Sequence, residues 1–225
     1  MILILCILIV AMIVLLWWPF PVDGTSGRGY CPESDPWEDP VTVSNLISQE
    51  ECQEIIKIAE PLFARSGVVG KVAPDDDRTS ETAWIPRTHP IARKIFERAC
   101  ELSGSSIENC EDLQVVRYMP GTFYRPHHDS CCENTDGCRE FEQNGGQRIG
   151  TLLVYLNDDF VEGRTHFPKM EKMFRAPAGN GLFFKPLGSN GQCHPHALHG
   201  GTPPTSGTKY LCNAWVRENN FVVPH

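Results

Sequence analysis

The sequence predicts an α+β domain in which helices come first and an antiparallel double-sheet roll or barrel follows. Three observations along the 225 residues predict it. Two segments after Val41 repeat apolar residues at helical spacing. Beyond Glu111 the period changes to that of strands, broken by Gly- and Pro-rich turns. Helical segments followed by a run of strands imply helices laid against an antiparallel sheet. One apolar helix at the N-terminus precedes the domain and stands apart from its core.

That first element is the run Ile2–Trp18, which has no charged or polar side chain apart from Cys6. As a helix it would be about 26 Å long, close to the ~30 Å of bilayer hydrocarbon. Trp17 and Trp18 fall where an aromatic belt would, and Pro19 ends the helix. Residues 1–19 are therefore read as a signal anchor. A cleaved signal peptide is the competing reading, since Val22 and Gly24 suit a signal peptidase. Residues 20–40, rich in Pro, Gly and acidic side chains, read as a linker or stalk. The globular domain is expected over 41–222.

Within it, Ser48 and Glu51 have the spacing of a capping box, followed by Cys52, Ile55, Ile56, Ala59 and Leu62 on one face. A second helix is expected from Thr88, turning Ile91, Ile95, Ala99 and Leu102 inward and stopping at Gly104. Strands are expected at Leu113–Tyr118, Arg148–Asn157, Leu182–Pro186 and Lys209–Arg217. The stretch Cys131–Gly146 reads as a long surface loop.

A formal net charge of -8, from 20 basic and 28 acidic side chains, argues against a nucleic-acid partner, whose phosphates need a basic footprint. Nine of the ten cysteines lie beyond the apolar run, and no CxxC pair occurs. Disulfides in an oxidising lumen are expected over structural zinc, with at least one thiol left over. No N-x-S/T sequon is present.

The chemistry concentrates in Tyr118–Asp129 (YMPGTFYRPHHD). If Pro126–Asp129 is extended, His127 and Asp129 point one way and His128 the other. A neutral imidazole and a carboxylate on one face supply two ligands of the 2-His-1-carboxylate triad of non-haem iron(II) oxygenases. A lone His-x-Asp is common, so the partner decides. His194, His196 and His199 precede the last strand, in which Lys209, Leu211, Asn213, Trp215 and Arg217 share a face. A lysine among apolar neighbours needs an anion.

From Leu113 to Arg217 the sequence resembles the catalytic domain of the prolyl 4-hydroxylase family, closer to collagen-type, plant and algal members than to oxygen-sensing ones. The blocks that carry the likeness are RTSETAW (78–84), QVVRY (114–118), YRPHHD (124–129), GQRIGTLLVYL (146–156), GRTHFP (163–168), LHGGTP (198–203) and GTKYLCNAWVR (207–217). The resemblance implies a double-stranded β-helix (jelly-roll) core, with its iron and cosubstrate centre at about 111–219. It also implies an enzyme using Fe(II), 2-oxoglutarate, ascorbate and dioxygen to hydroxylate proline in a peptide or protein. His127, Asp129 and His199 would hold iron. Lys209 would bind the distal carboxylate of 2-oxoglutarate, with Tyr118, Thr151 and Trp215 beside it. Arg78, Ser80, Trp84, Tyr124 and Arg148 would line a peptide groove. The implied location is the endoplasmic reticulum or Golgi membrane, with the catalytic domain lumenal.

The family's Gly-Gly-Glu-Thr stands here as Glu162-Gly-Arg-Thr165, which reverses a charge expected near the site. Arg148 has the opposite parity to Thr151, so it sits at a rim or follows a bulge. His128, His194 and His196 remain alternative ligands, while His89 and His166 read as surface residues. Competing functions are an oxygenase for another residue or a small molecule, a non-catalytic peptide-binding subunit, and a zinc or copper protein using His194, His196 and the cysteines.

Overall fold

The computed structural model describes residues 28–67 and 76–223. The helix expected over Ile2–Trp18 lies outside the described residues. No described helix is long and apolar enough to cross a membrane.

The capping box forms as the sequence predicts. Glu51 N–H donates to the Ser48 hydroxyl at 3.2 Å, and Ser48 N–H donates to the Glu51 carboxylate at 2.8 Å. The helix Gln49–Ala59 follows and buries Cys52, Ile55 and Ala59. Leu62 leaves that face because Pro61 tightens the chain into a 3₁₀ turn, Glu60–Leu62, leaving it half exposed. The second helix spans Arg93–Ser103 and starts later than the expected Thr88. Pro90–Ala92 form a separate 3₁₀ turn, capped by His89 Nδ1 accepting from Ile91 N–H at 3.3 Å. Gly104 ends the helix at φ 70°, the left-handed conformation that suits glycine.

Seven strands form the main sheet in the order β1 (Val41–Val43), β10 (Gly181–Phe184), β6 (Arg148–Tyr155), β13 (Lys209–Arg217), β4 (Leu113–Tyr118), β3 (Glu81–Ile85), β2 (Ala64–Arg65). A four-stranded sheet orders β5 (Tyr124–His127), β11 (His199–Gly201), β8 (Thr165–Phe167), β9 (Lys172–Phe174), and β12 (Pro204–Ser206) pairs with β7 (Val161–Glu162). Every pairing of named strands is antiparallel. The strict succession of helices then strands does not hold, because β1, β2 and β3 arise in the N-terminal part. β3 escapes the sequence reading because it is five residues long, between Ser80 and Pro86, with Glu81 and Trp84 partly or largely exposed.

Alternation along the central strands separates two interiors. Cys212, Ala214 and Val216 of β13, with Leu152 and Val154 of β6, pack against Ile55, Phe96 and Ala99 of the helices. Each large apolar side chain removed from water there contributes roughly 1.5–3 kcal/mol. On the opposite side Leu153, Leu182 and Phe184 meet Phe167 of the smaller sheet. Lys209, Leu211, Asn213, Trp215 and Arg217 share this second face, and all are buried.

Two segments differ from their expected state. From Arg28 onward the supposed linker packs on the domain. Cys31 N–H donates to Cys193 O at 3.1 Å, Trp37 stacks on His194 with ring centroids 5.3 Å apart, and the Arg28 guanidinium grips Glu142 at 2.7 and 2.8 Å. These are single-residue anchors, which leave no period to read. The Cys131–Gly146 loop holds a helix, Asp136–Gln143, whose Cys138 N–H donates to the Thr135 hydroxyl. Its one buried apolar residue is Phe141, so local pattern cannot announce it. Disulfides Cys131–Cys138 and Cys132–Cys193 hold it instead.

Candidate active site

β5 and β11 run side by side with His199 paired to His127, which brings the ends of two distant sequence blocks together. Gly200 and Gly201 allow the close approach. A Cβ at Gly200 would lie 2.8 Å from Tyr124 O, and one at Gly201 3.0 Å from the Tyr118 hydroxyl. Asp129 follows β5 and places its carboxylate between the two rings. His127 Nε2 is 3.8 Å from Asp129 Oδ1, and His199 Nε2 is 3.7 Å from Asp129 Oδ2.

The tautomers follow from the neighbours. His127 Nδ1 lies 2.9 Å from Arg125 O, and His199 Nδ1 lies 3.0 Å from Ala197 O. A carbonyl oxygen only accepts, so each Nδ1 carries a hydrogen and each Nε2 faces Asp129. Burial, then the neighbouring His199, keeps His127 well below its ordinary pKa and hence neutral. Burial pushes the Asp129 carboxyl up, against which the Arg148 guanidinium and the Thr151 hydroxyl favour the carboxylate. Two imidazole nitrogens and one carboxylate with every ligand atom within 4.8 Å fit a divalent metal with open positions.

A small inner chamber extends from these residues to Lys209, with Tyr118, Leu153, Thr165, Asn213 and Trp215 among its walls. Lys209 is fully buried, and among the described residues its Nζ has no hydrogen-bond partner. The rings of Tyr118 and Tyr155 lie 5.1 and 5.6 Å from it. Burial, with a smaller contribution from Arg175, pushes the ammonium down to about 7. A buried amine with no partner among the described residues, charged once an anion arrives, fits an incoming carboxylate. Burial pushes the Tyr118 phenol up, so it stays a donor.

Outside this chamber lies a cleft of about 620 Å³, lined among others by Tyr30, Arg78, Trp84, Tyr124, Arg148 and Trp215. Arg78 lies 4.5 Å over the Tyr124 ring, and Tyr124 stacks on His127 with centroids 3.6 Å apart. Trp84 is 46% exposed inside the cleft, which leaves a large apolar face for a ligand. Arg148 reaches it because the ladder shifts register between Val216 and Arg217, a bulge that resolves its parity. Its guanidinium lies 3.5 Å over Trp215 and bonds both oxygens of Glu111 at 2.7 and 2.8 Å.

Several expected positions change. Thr151 donates to Asp129 Oδ2 at 2.7 Å and so orients the carboxylate. Ser80 lines neither cavity and sits beneath Arg78, accepting from its Nε at 3.2 Å. Arg164 pairs with Glu162 at 3.4 Å and lines neither cavity, so the reversed charge does not face the site. His194 is fully engaged, donating from Nε2 to Asp35 O and accepting at Nδ1 from His196 N–H. Cys132 and Cys193, near His128, are bonded to one another. Thr165, Gln114, Asn213 and Tyr155 were not assigned roles from sequence. Parity with Lys209 pointed to Asn213, but no local signal marked the others.

Residues 113–217 match the family model of the 2OG-Fe(II) oxygenase superfamily. Fold and site thus define an oxidoreductase that works with iron(II) and 2-oxoglutarate. A protein of Acanthamoeba polyphaga mimivirus, provisionally named prolyl 4-hydroxylase, is 42% identical over 85% of this chain and 79% of its own. Prolyl 4-hydroxylase 1 of Arabidopsis thaliana is 34% identical over 83% of this chain and 72% of its own. A viral collagen prolyl hydroxylase from Paramecium Bursaria Chlorella virus-1, solved with 2OG, superposes with a TM-score of 0.62 at 28% identity, covering 80% of this chain and 96% of that one. The chain belongs to the prolyl 4-hydroxylase family.

Proposed function

We propose that this prolyl hydroxylase acts on C4 of prolyl residues in proline-rich or collagen-like proteins, through a double-stranded β-helix core. The observation that carries the reading is one chamber with a metal-ligand triad at one end and the partnerless Lys209 ammonium at the other. His127, Asp129 and His199 would hold Fe(II). Lys209 would take the distal carboxylate of 2-oxoglutarate, with the Tyr118 hydroxyl donating beside it. When bound, iron(II) would let dioxygen act as the oxidant, one oxygen atom ending in the proline hydroxyl and the other in succinate as 2-oxoglutarate loses carbon dioxide.

The chain's own share is position and exclusion of water. Thr151 fixes the Asp129 oxygen, and the backbone carbonyls of Arg125 and Ala197 fix the imidazoles. Such outer partners orient ligands and raise their basicity. Trp215 and Leu153 dry the chamber, which strengthens the Lys209 charge toward a carboxylate. Arg78, Tyr124, Trp84 and Arg148 would receive the peptide, with Trp84 offering its exposed face to a proline ring.

Ascorbate would serve as the reductant that keeps the iron as Fe(II). Anchoring by Ile2–Trp18 in an endoplasmic reticulum or Golgi membrane, lumenal side catalytic, is supported by that apolar run and by the two disulfides. Mass spectrometry of (Pro-Pro-Gly)-type and poly-proline peptides after incubation with iron(II), 2-oxoglutarate and ascorbate tests the function. A gain of one oxygen on proline is expected. Succinate formation with no modified proline on either peptide contradicts it. Asp129→Ala is expected to abolish succinate production, and full activity in that variant removes Asp129 from the ligand set.

A further inference from the structure

Nine cysteines fall among the described residues, four of them in the two disulfides and five buried as free thiols. A free buried cysteine is ordinarily a small apolar side chain and needs no further role. Cys100 and Cys110 differ because their sulfurs face one another at 3.4 Å. Cys100 is in the last turn of the helix Arg93–Ser103, and Cys110 immediately precedes Glu111 on the approach to β4. The chain between them is tightly turned. Gly104 reverses it at φ 70°, Ser105 N–H donates to Cys100 O at 3.0 Å, and Cys110 N–H donates to Ile107 O at 3.0 Å. Cys110 also bridges to Val216 of β13. Both backbone ends are therefore fixed, with the sulfurs already 3.4 Å apart against the about 2.05 Å of a disulfide.

We propose that Cys100 and Cys110 are a further modification site, closed as a disulfide that locks the end of this helix onto the start of β4. The oxidant is a small or protein disulfide of the kind that forms Cys132–Cys193. The thiolate of one cysteine attacks the donor disulfide and releases one donor thiol. The second cysteine attacks the resulting mixed disulfide and releases the other. One S–S bond forms, one breaks, and the two protons and two electrons leave with the donor as two thiols. Both cysteines are almost wholly withdrawn from water, and burial pushes both thiols up. The bond therefore forms while the chain is folding and resists exchange afterwards. Its consequence reaches the cleft, since Glu111 holds Arg148 and Arg217 in place.

Trypsin cuts after Arg98 and Arg117, so residues 99–117 leave as one peptide whose only cysteines are 100 and 110. The full chain is refolded in a glutathione redox buffer oxidising enough to protect Cys132 and Cys193 from alkylation. It is then quenched in acid, denatured, alkylated and digested. The expected peptide 99–117 is unlabelled before reduction and doubly labelled after it. Double labelling without reduction, at the point where Cys132 and Cys193 are protected, overturns the proposal. So does attachment of either cysteine to a different partner. Cys110→Ala is expected to leave Cys100 alkylatable and to lower the melting temperature of the oxidised protein by roughly 5 °C. Should that variant not fold, Cys100→Ala gives the same readout at Cys110. An unchanged melting temperature in a folded variant also counts against the bond.

Discussion

Arg148 and Arg217 at one end of the inner face of the main sheet, and Lys209 at the other, are all withdrawn from water, yet only the arginines have a counter-charge. Glu111 is shared between the two guanidiniums at 2.7–2.8 Å. Its carboxyl is held below its usual range because the two arginines overcome the upward push of burial. Lys209, fewer than ten residues along the same strand as Arg217, has no hydrogen bond among the described residues. One end is a completed ion cluster that shapes a cleft. The other is a charge whose partner must arrive from solution. Burial alone therefore does not identify a binding group, but burial without a partner does.

Breaking the completed end is expected to cost stability most. Glu111→Gln leaves two buried cations short of a counter-charge and is expected to destabilise the fold by roughly 3–5 kcal/mol, read from urea unfolding. Lys209→Met is expected to do the reverse. Its unfolding free energy stays level or rises by about 1–3 kcal/mol, while the 2-oxoglutarate requirement rises about a hundredfold in steady-state assays. Loss of stability in both variants would erase the contrast between the two ends. Thr151→Val, which removes the bond to Asp129, is expected to weaken Fe(II) affinity about 10–100-fold while leaving the 2-oxoglutarate anchor intact.

The contrast also has a pH signature. Lys209 ordinarily titrates at 10.5, and in the fold burial, followed by Arg175, brings it to about 7. Between those values the unfolded chain binds a proton that the folded chain does not. Without cosubstrate, the Lys209 contribution to stability therefore increases as pH rises from about 7 toward 10.5. The stability curve of Lys209→Met should lack that rise, and parallel curves would refute the shift. The smallest effect is expected at the cleft rim, where Trp84→Ala should raise peptide KM several-fold, about 1 kcal/mol, with 2-oxoglutarate KM unchanged.

The two ends were unequally legible in the sequence. The Lys209 strand gave itself away because period-2 alternation put a lysine beside Leu211 and Trp215, and the His127–Asp129 pair followed from the same rule. His199 came from resemblance, with His194 and His196 as lesser alternatives, and in the fold His194 is bonded to Asp35 O. The Glu111 end was hidden. Arg148 had the wrong parity until a bulge corrected it, and Glu111 preceded the expected strand. The cysteine-stapled helix Asp136–Gln143 and the packing of residues 28–40 depend on contacts between distant segments, which no local period encodes. Thr151 was expected beside the cosubstrate, and its bond to Asp129 was not foreseen, because alternation fixes a face and not a hydrogen-bond partner.

The central claim is that Lys209 is reserved for a second carboxylate. Calorimetric titration of Fe(II)-loaded protein, without oxygen, with 2-oxoglutarate and with a 2-oxo acid lacking the distal carboxylate tests it directly. Wild type is expected to prefer the diacid by about a hundredfold, and Lys209→Met to bind both acids alike. A variant that kept the full preference for the diacid would contradict the account.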